Sequence, residues 1–177
     1  RVVADVILGP WSSRVLFVKN MAHHLVGLRW DFLERTSNVL LTRTPAEVLP
    51  SLNRKLPDPG IEETGYPIQI RLLEFLESAG REVIVLDSRE LLTNPESVLR
   101  QLCARIGLGF EKEMLHWAVG PRPEDGVWAE TWYHDVHLTT GFAPYRPKIT
   151  PFPAELVPLL RKCEPMYARL TEKSIRA

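Results

Sequence analysis

Three short apolar runs along the chain have the pattern of buried β-strands. They are Val15–Lys19, Asn38–Arg43 and Glu82–Asp87, and each ends in a polar or charged residue. Their apolar residues follow one another almost without interruption, which indicates burial on both faces, as in parallel strands covered by helices. The pattern therefore predicts a parallel sheet that contains these three segments.

Amphipathic helices with recognisable end signals are predicted between and after these runs. Thr44-Pro45-Ala46-Glu47 has the sequence of a capping box with proline at the first helical position. The helix that it begins is expected to reach about Lys55, and Pro50 should kink or shorten it. Hydrophobic spacing and end signals predict three further helices, over Tyr66–Ala79, from Pro95 to about Ile106 and from Ala154 to about Glu172.

The alternation of strands and helices predicts an α/β fold, with helices on both faces of a parallel sheet. The length of 177 residues fits one domain, and 45% apolar residues are enough for a hydrophobic core. The turn-rich stretch Gly120–Gly126 is too short to separate two domains. Residues 1–177 are therefore predicted to form a single domain.

Charge and cysteine content exclude several classes of protein. The 22 Lys and Arg residues balance 22 Asp and Glu residues, whereas a nucleic-acid-binding protein would show a cationic excess. No apolar run approaches the roughly 20 residues that a membrane-spanning helix needs. Cys103 and Cys163 are too few for a disulfide framework, so we expect buried free thiols in a reducing compartment, the cytoplasm.

Polar residues lie where the three predicted strands end. Lys19 ends the first strand and precedes His23 and His24, Arg43 ends the second, and Asp87 ends the third. Ligands bind outside the carboxyl ends of parallel strands, where cations beside a helix N-terminus suit a phosphate or sulfate. Each residue also has a structural interpretation, as a solvated side chain or a helix cap. Adjacent histidines do not face the same way, so no metal site is predicted.

The segment VLLTRTPAEVLPSL, residues 39–52, combines a hydrophobic strand that ends in Arg43 with Pro45, Glu47 and Ser51. It resembles the nucleotide-binding segment of P-loop sulfotransferases, in which an Arg at the strand end and a Ser eight residues later hold the 3′-phosphate of 3′-phosphoadenosine-5′-phosphosulfate (PAPS). The resemblance assigns these nucleotide-binding roles to Arg43 and Ser51.

Two further segments match the same family in the correct order. Residues 83–107 are similar to its strand, acidic turn and capped amphipathic helix, and residues 17–23 resemble the strand whose end supplies a lysine and a histidine base. The family places acceptor-side elements where this chain has Trp128, Trp132 and Tyr133, and Trp117 and Phe142 suggest a further apolar lining. The chain departs from the family at Thr44, at Pro50 and in the spacing between Lys19 and the histidines.

The resemblance implies a P-loop NTPase-like fold and transfer of a sulfuryl group from PAPS to a hydroxyl or amine of a small-molecule acceptor. His23 or His24 would deprotonate the acceptor, and Lys19 would stabilise charge on the bridging oxygen, while Arg43 and Ser51 anchor the nucleotide.

The phosphosulfate-binding P-loop of the family has no counterpart in this sequence, since Ser12-Ser13 precedes a predicted strand and not a helix. We therefore expect a chain truncated at the N-terminus and inactive by itself. The family's P-loop strand lies between the strands that end at Lys19 and Arg43. Its absence would leave a slot in the sheet, which favours pairing with another chain, as in a homodimer.

Two other functions fit the same residues. An ATP- and Mg²⁺-dependent phosphotransferase on this fold would need a Walker lysine upstream and Asp87 as a metal ligand. A binding or regulatory domain that has kept the fold and lost the chemistry would explain Thr44, Pro50 and the displaced histidine. The fold is common to all three, so the functional site has to separate them.

Overall fold

A pair of parallel strands forms the sheet in the computed structural model, which describes residues 2–25, 27–123, 125–127, 129, 133–147 and 151–177. Strand β1 spans Asn38–Thr42 and strand β2 spans Val83–Asp87. Their register runs from Asn38 opposite Val83 to Thr42 opposite Asp87. The prediction that both segments are parallel strands is confirmed, and both end at the same edge of the sheet.

Helices connect and flank the two strands. The α-helices of the described residues are α1 Pro45–Lys55, α2 Tyr66–Ser78, α3 Ser88–Thr93, α4 Pro95–Ile106, α5 His134–His137 and α6 Val157–Thr171. Short 3₁₀ turns lie at Ala22–Leu25, Asp31–Arg35, Glu62–Thr64, Lys112–Leu115 and Ala154–Leu156, and a π-helical turn at Val2–Ile7. The helices predicted from hydrophobic spacing are confirmed as α1, α2, α4 and α6. None of the helices in the described ranges combines the length and apolarity that crossing a lipid bilayer requires.

End signals in the sequence explain where α4 starts and stops. The Asn94 side chain accepts a hydrogen bond from the Ser97 N–H at 3.2 Å, and Pro95 occupies the first helical position. Gly107 ends the helix with a φ of 73°, a conformation that favours glycine. Helix α1 also starts where expected and continues through Pro50 to Lys55.

The capping box predicted at the start of α1 is wrong. The Thr44 side chain makes no capping hydrogen bond among the described residues, and the Glu47 N–H donates instead to the Thr44 backbone carbonyl at 3.0 Å. The Glu47 carboxylate lies against Arg43 and Tyr145. The Glu47 carboxylate therefore binds these two side chains.

Both faces of β2 are covered by helices, as predicted for an α/β fold. Val83 and Val85 face one side, where they pack with residues of α1, α2 and α6, namely Leu49, Leu73, Leu76, Cys163 and Leu170. Ile84 and Leu86 face the other side, where they pack with Val98 of α4 and Ile175. The Ile175 N–H donates to the Val85 carbonyl at 3.0 Å, so the C-terminal tail lies against β2. The thiols of Cys103 and Cys163 are free and buried, as predicted.

One face of β1 is not covered by the described residues. Leu40 packs against the core of α1, α2 and α6, but Val39 and Leu41 on the opposite face are 38% and 59% exposed. The register places them beside Ile84 and Leu86 of β2, which α3 and α4 cover. The prediction of burial on both faces is therefore correct for β2 and wrong for β1.

The strand predicted over Val15–Lys19 is wrong. These residues have no regular secondary structure, and the side chains of Val15, Leu16, Phe17 and Val18 are all exposed, Phe17 by 86%. A strand needs a neighbour that pairs with its backbone, and neither described strand pairs with this segment. The apolar run indicated a strand because hydrophobicity does not show whether a partner is present. Lys19 therefore does not lie at a strand end.

Tyr66 joins the first turn of α2 to the end of β1. Its side chain is 2% exposed, and its hydroxyl donates to the Arg43 carbonyl at 2.6 Å. Burial raises the pKa of Tyr66 far above its usual range, with a further contribution from nearby Cys163, Tyr167 and Asp87. The phenol therefore stays protonated and remains a donor to the backbone that carries Arg43.

The contrast between the two faces of the structure predicts unequal costs for the same truncation. Leu73→Ala removes a fully buried side chain of α2 and should lower the free energy of unfolding by about 2–5 kcal/mol. Leu41→Ala, the matched control on the exposed face of β1, should cost less than about 1 kcal/mol. Urea unfolding followed by circular dichroism measures both. Equal losses would show that the β1 face is covered.

The buried phenol predicts a loss of stability at high pH. An acid whose pKa is raised by folding stabilises the protein below its unfolded pKa, about 10 for tyrosine, and this contribution is lost as the pH rises further. Tyr66→Phe should cost about 1 kcal/mol at pH 7, because the Arg43 carbonyl loses its donor. The substitution should also make the fall in the free energy of unfolding at alkaline pH shallower. Burial raises the pKa of Tyr167 as well, so this residue accounts for part of the fall that remains. Urea unfolding across the alkaline range tests this, and identical slopes would contradict it.

Candidate functional site

The carboxyl edge of the sheet carries an arginine held by a buried carboxylate. Arg43 follows β1 directly, and its Nε donates to Oε2 of Glu47 in the first turn of α1 at 2.6 Å. The Arg43 side chain is 44% exposed, whereas that of Glu47 is 8% exposed. A guanidinium at a sheet edge beside a helix N-terminus suits an anionic ligand.

Tyr145 completes this arrangement from a distant part of the chain. Its hydroxyl donates to Oε1 of Glu47 at 2.7 Å, across a sequence separation of 98 residues. This hydrogen bond is the main cause of the raised pKa of Tyr145, which keeps the hydroxyl a donor. Arg89, which follows β2, lies over the same ring, with its Cζ 5.6 Å from the ring centre. Arginines from both strand ends thus approach one tyrosine.

Sequence reasoning missed both Tyr145 and the role of Glu47. Glu47 stands at the third helical position, where an acidic residue suggests a capping box. No local pattern connects position 145 with position 47. Correlated substitutions in related sequences are the signal that would reveal such a pair.

Asp87 caps a helix at this edge. Its Oδ1 accepts from the Arg89 N–H at 2.7 Å, and its Oδ2 accepts from the Tyr167 hydroxyl at 2.7 Å. The residue is 3% exposed. Of the two roles that the sequence left open, the structure shows the helix cap. The described residues contain no group of three or more metal-ligating side chains.

Ser51 lies on α1 one turn after Glu47, so both side chains occupy the same side of the helix. It is half-buried, and its hydroxyl accepts from Nη2 of Arg54 at 3.4 Å. The helix thus presents Glu47, Ser51 and Arg54 in sequence along one side, beginning next to Arg43.

His23 lies close to the residues that hold Arg43. Its Nε2 is 2.9 Å from the Glu62 carbonyl oxygen, which can only accept, so in the neutral ring Nε2 carries the proton and Nδ1 the lone pair. A Cβ on Gly65 would stand 3.2 Å from Cε1 of His23, and Gly65 has a φ of 81°. Gly65 precedes Tyr66, which bonds to Arg43. His23 is therefore linked to Arg43 indirectly, through Gly65 and Tyr66, while His24 is exposed.

Lys19 belongs to a second polar group. Its Nζ donates to the Tyr133 hydroxyl at 3.0 Å and lies 4.6 Å from the centre of that ring. Tyr133 packs edge-on against His137, whose Nε2 is 2.8 Å from Oδ2 of Asp125. The Arg122 backbone N–H and His137 lower the pKa of Asp125. The structure thus places His23 against Glu62 and Gly65, next to Tyr66 in the chain, and Lys19 against Tyr133.

An open cleft of about 480 Å³ lies beside the N-terminus of α4. Its lining includes Asn94, Glu96, His116 and Phe142. Trp117 packs edge-on against Phe142 with ring centres 5.3 Å apart. The aromatic residues Trp128 and Trp132, which the sequence suggested for the acceptor side, lie outside the described residues.

Comparisons with known proteins identify the family. A family profile described as a sulfotransferase domain matches residues 4–174. The chain is 33% identical over 168 residues to branched-chain-amino-acid aminotransferase-like protein 2 of Arabidopsis thaliana, and 36% identical over 168 residues to branched-chain-amino-acid aminotransferase-like protein 1. Each match covers 94% of this chain and 30% of the relative.

The chain thus spans about a third of the length of these two curated relatives. No solved structure matches it. The family profile covers nearly the whole chain, including β1, β2 and the segment from Arg43 to Ser51. The α/β architecture with a parallel strand pair agrees with this assignment. The chain belongs to the sulfotransferase domain family.

Proposed function

We propose that the protein transfers a sulfuryl group from PAPS to a hydroxyl or amine of a small-molecule acceptor. The observation that carries the proposal is the half-exposed Arg43 guanidinium at the carboxyl edge of the sheet, held by a buried carboxylate. The family match supports a sulfotransferase. The donor groups of Arg43 suit a phosphate dianion, which can accept several charge-assisted hydrogen bonds at once.

The residues at the site fit the nucleotide half of the donor. Arg43 and Ser51 would hold the 3′-phosphate, as the family resemblance assigns. Arg54, whose Nη2 is within 3.4 Å of the Ser51 hydroxyl, adds positive charge beside it. These residues account for the 3′-phosphate alone, and the proposal assigns no residue to the phosphosulfate.

The acceptor has to lose a proton as the sulfuryl group is transferred. The bond between sulfur and the bridging oxygen of the donor breaks, a new bond from sulfur to the acceptor forms, and adenosine 3′,5′-bisphosphate leaves. His23 is the preferred base, because its Nδ1 carries the lone pair and its ring lies near the contacts that hold Arg43. As the family resemblance assigns, Lys19 would stabilise negative charge on the bridging oxygen, which requires its Nζ to leave the Tyr133 hydroxyl that it contacts at 3.0 Å.

Two observations distinguish this proposal from other functions. A phosphotransferase would need Asp87 as a metal ligand, whereas this residue is 3% exposed, caps α3 and binds the Tyr167 hydroxyl. The two relatives with aminotransferase-like names are matched over only 30% of their length, so their names do not describe the matched segment specifically. The profile that covers residues 4–174 of this chain describes a sulfotransferase domain. The two buried free thiols support a reducing compartment such as the cytoplasm.

Loss of the Arg43 guanidinium should weaken nucleotide binding strongly while the protein keeps its fold. Arg43→Ala should weaken binding of adenosine 3′,5′-bisphosphate by about 2–4 kcal/mol, because a charge-assisted contact to phosphate is lost. Isothermal titration calorimetry measures the affinity, and circular dichroism reports the fold. Arg29→Ala, which removes an arginine whose side chain is 89% exposed, is the control and should bind normally. Normal binding by Arg43→Ala would refute the assignment.

The histidine assignment predicts different effects of two neighbouring substitutions. His23→Ala should lower turnover by about 10²–10⁴-fold without changing nucleotide affinity, because the base is lost, whereas His24→Ala should be close to wild type. Transfer of label from radiolabelled PAPS to a panel of phenols, alcohols and amines by the full-length protein measures turnover. The reverse result would make His24 the base. Full activity of both variants would show that neither histidine is the base.

A further inference from the structure

We propose that Glu47 and Tyr145 are positioning residues that orient the Arg43 guanidinium toward the 3′-phosphate of the nucleotide. The identity of the ligand rests on the proposed function. The orientation of Arg43 rests on two short contacts, one from Arg43 to Glu47 and one from Tyr145 to Glu47. Tyr145 carries no role in the family motif as matched to this chain, and Glu47 matches only its acidic position.

The first contact fixes one side of the guanidinium. Arg43 uses its Nε–H to reach Oε2 of Glu47, and this contact does not involve the donors on the two terminal nitrogens. Because the Arg43 side chain is 44% exposed and that of Glu47 only 8%, the carboxylate holds the inner side of the group. The terminal nitrogens are thus the part of Arg43 suited to a ligand.

The second contact fixes the carboxylate. Tyr145 donates to Oε1, so each oxygen of Glu47 has a separate partner. The Arg89 guanidinium lies over the Tyr145 ring, and this contact restricts movement of the ring. Tyr66 holds the Arg43 backbone carbonyl at the same time. Arg43 is therefore fixed at the backbone and at the end of its side chain before a ligand arrives, which lowers the conformational entropy lost on binding.

A simple ion pair would have the opposite effect on binding. The negative charge of Glu47 stands 2.6 Å from Arg43 and opposes the attraction between Arg43 and a phosphate. If Glu47 did no more than neutralise Arg43, removal of its charge would tighten phosphate binding. If Glu47 orients Arg43, removal of the charge would weaken binding. The sign of the effect therefore separates the two roles.

The experiment compares two nucleotides that differ only in the 3′-phosphate. Isothermal titration calorimetry with adenosine 3′,5′-bisphosphate and with adenosine 5′-monophosphate is carried out on wild type, Glu47→Gln and Tyr145→Phe. Each substitution should weaken the bisphosphate about tenfold and change the monophosphate less than about twofold. Glu172→Gln breaks another close arginine–glutamate ion pair, Arg169–Glu172 at 3.0 Å at the end of α6, and should leave both affinities unchanged.

A further variant tests whether Glu47 acts through Arg43. In an Arg43→Ala background, Glu47→Gln should cause no additional loss, because the group that it orients is absent. Tyr145→Phe keeps the carboxylate and the ring, so it gives the answer even if Glu47→Gln fails to fold. Circular dichroism and urea unfolding identify such a failure.

The outcomes distinguish failure of this inference from failure of the proposed function. If wild type binds the bisphosphate no more tightly than the monophosphate, the site does not recognise a 3′-phosphate, and the proposed nucleotide is wrong. If wild type prefers the bisphosphate and Glu47→Gln binds it equally or more tightly, positioning by Glu47 is refuted. Equal losses for both nucleotides would show general damage to the site and would also refute it.

Discussion

The parallel pairing of β1 with β2 is the constraint on which the rest of the molecule depends. Two parallel strands must end at the same edge, so the residues that follow Thr42 and Asp87 become neighbours although more than forty positions separate them. The connection has to cross over the sheet, and α1 and α2 occupy it. Their burial against Val83 and Val85 stabilises the pairing and brings Arg43 and Arg89 to one edge.

The site is supported by a cluster of buried core residues. Tyr66 belongs to the same core cluster as Leu49 and Leu73, and its hydroxyl holds the backbone of Arg43. Glu47 lies on α1, whose Leu49 is fully buried. The backbone that carries Arg43 therefore cannot shift without disturbing the core. Rigid support of this kind suits the phosphate-binding role proposed for Arg43, which requires defined geometry.

Local signals predicted the helices well and the long-range contacts poorly. The ends of α4 are specified by Asn94, Pro95 and Gly107 through interactions with residues close in sequence. The sequence alone is therefore enough to predict where this helix begins and ends. The run Val15–Lys19 was misassigned because a strand depends on a partner that hydrophobicity does not reveal. Arg43 was identified by a motif, and its position at the strand end is confirmed. The Glu47–Tyr145 contact was not predicted, because only the folded chain brings these residues together.

The distance along the chain between Glu47 and Tyr145 has a consequence for synthesis. At about 5–20 residues per second, the ribosome adds Tyr145 roughly 5–20 s after Glu47, a separation of 98 residues. During that interval β1, α1 and Arg43 can be made and partly folded while Oε1 of Glu47 still lacks its tyrosine. The contact that fixes the Glu47 carboxylate beside Arg43 therefore forms late in synthesis, after β1, α1, β2 and α4 have all been made.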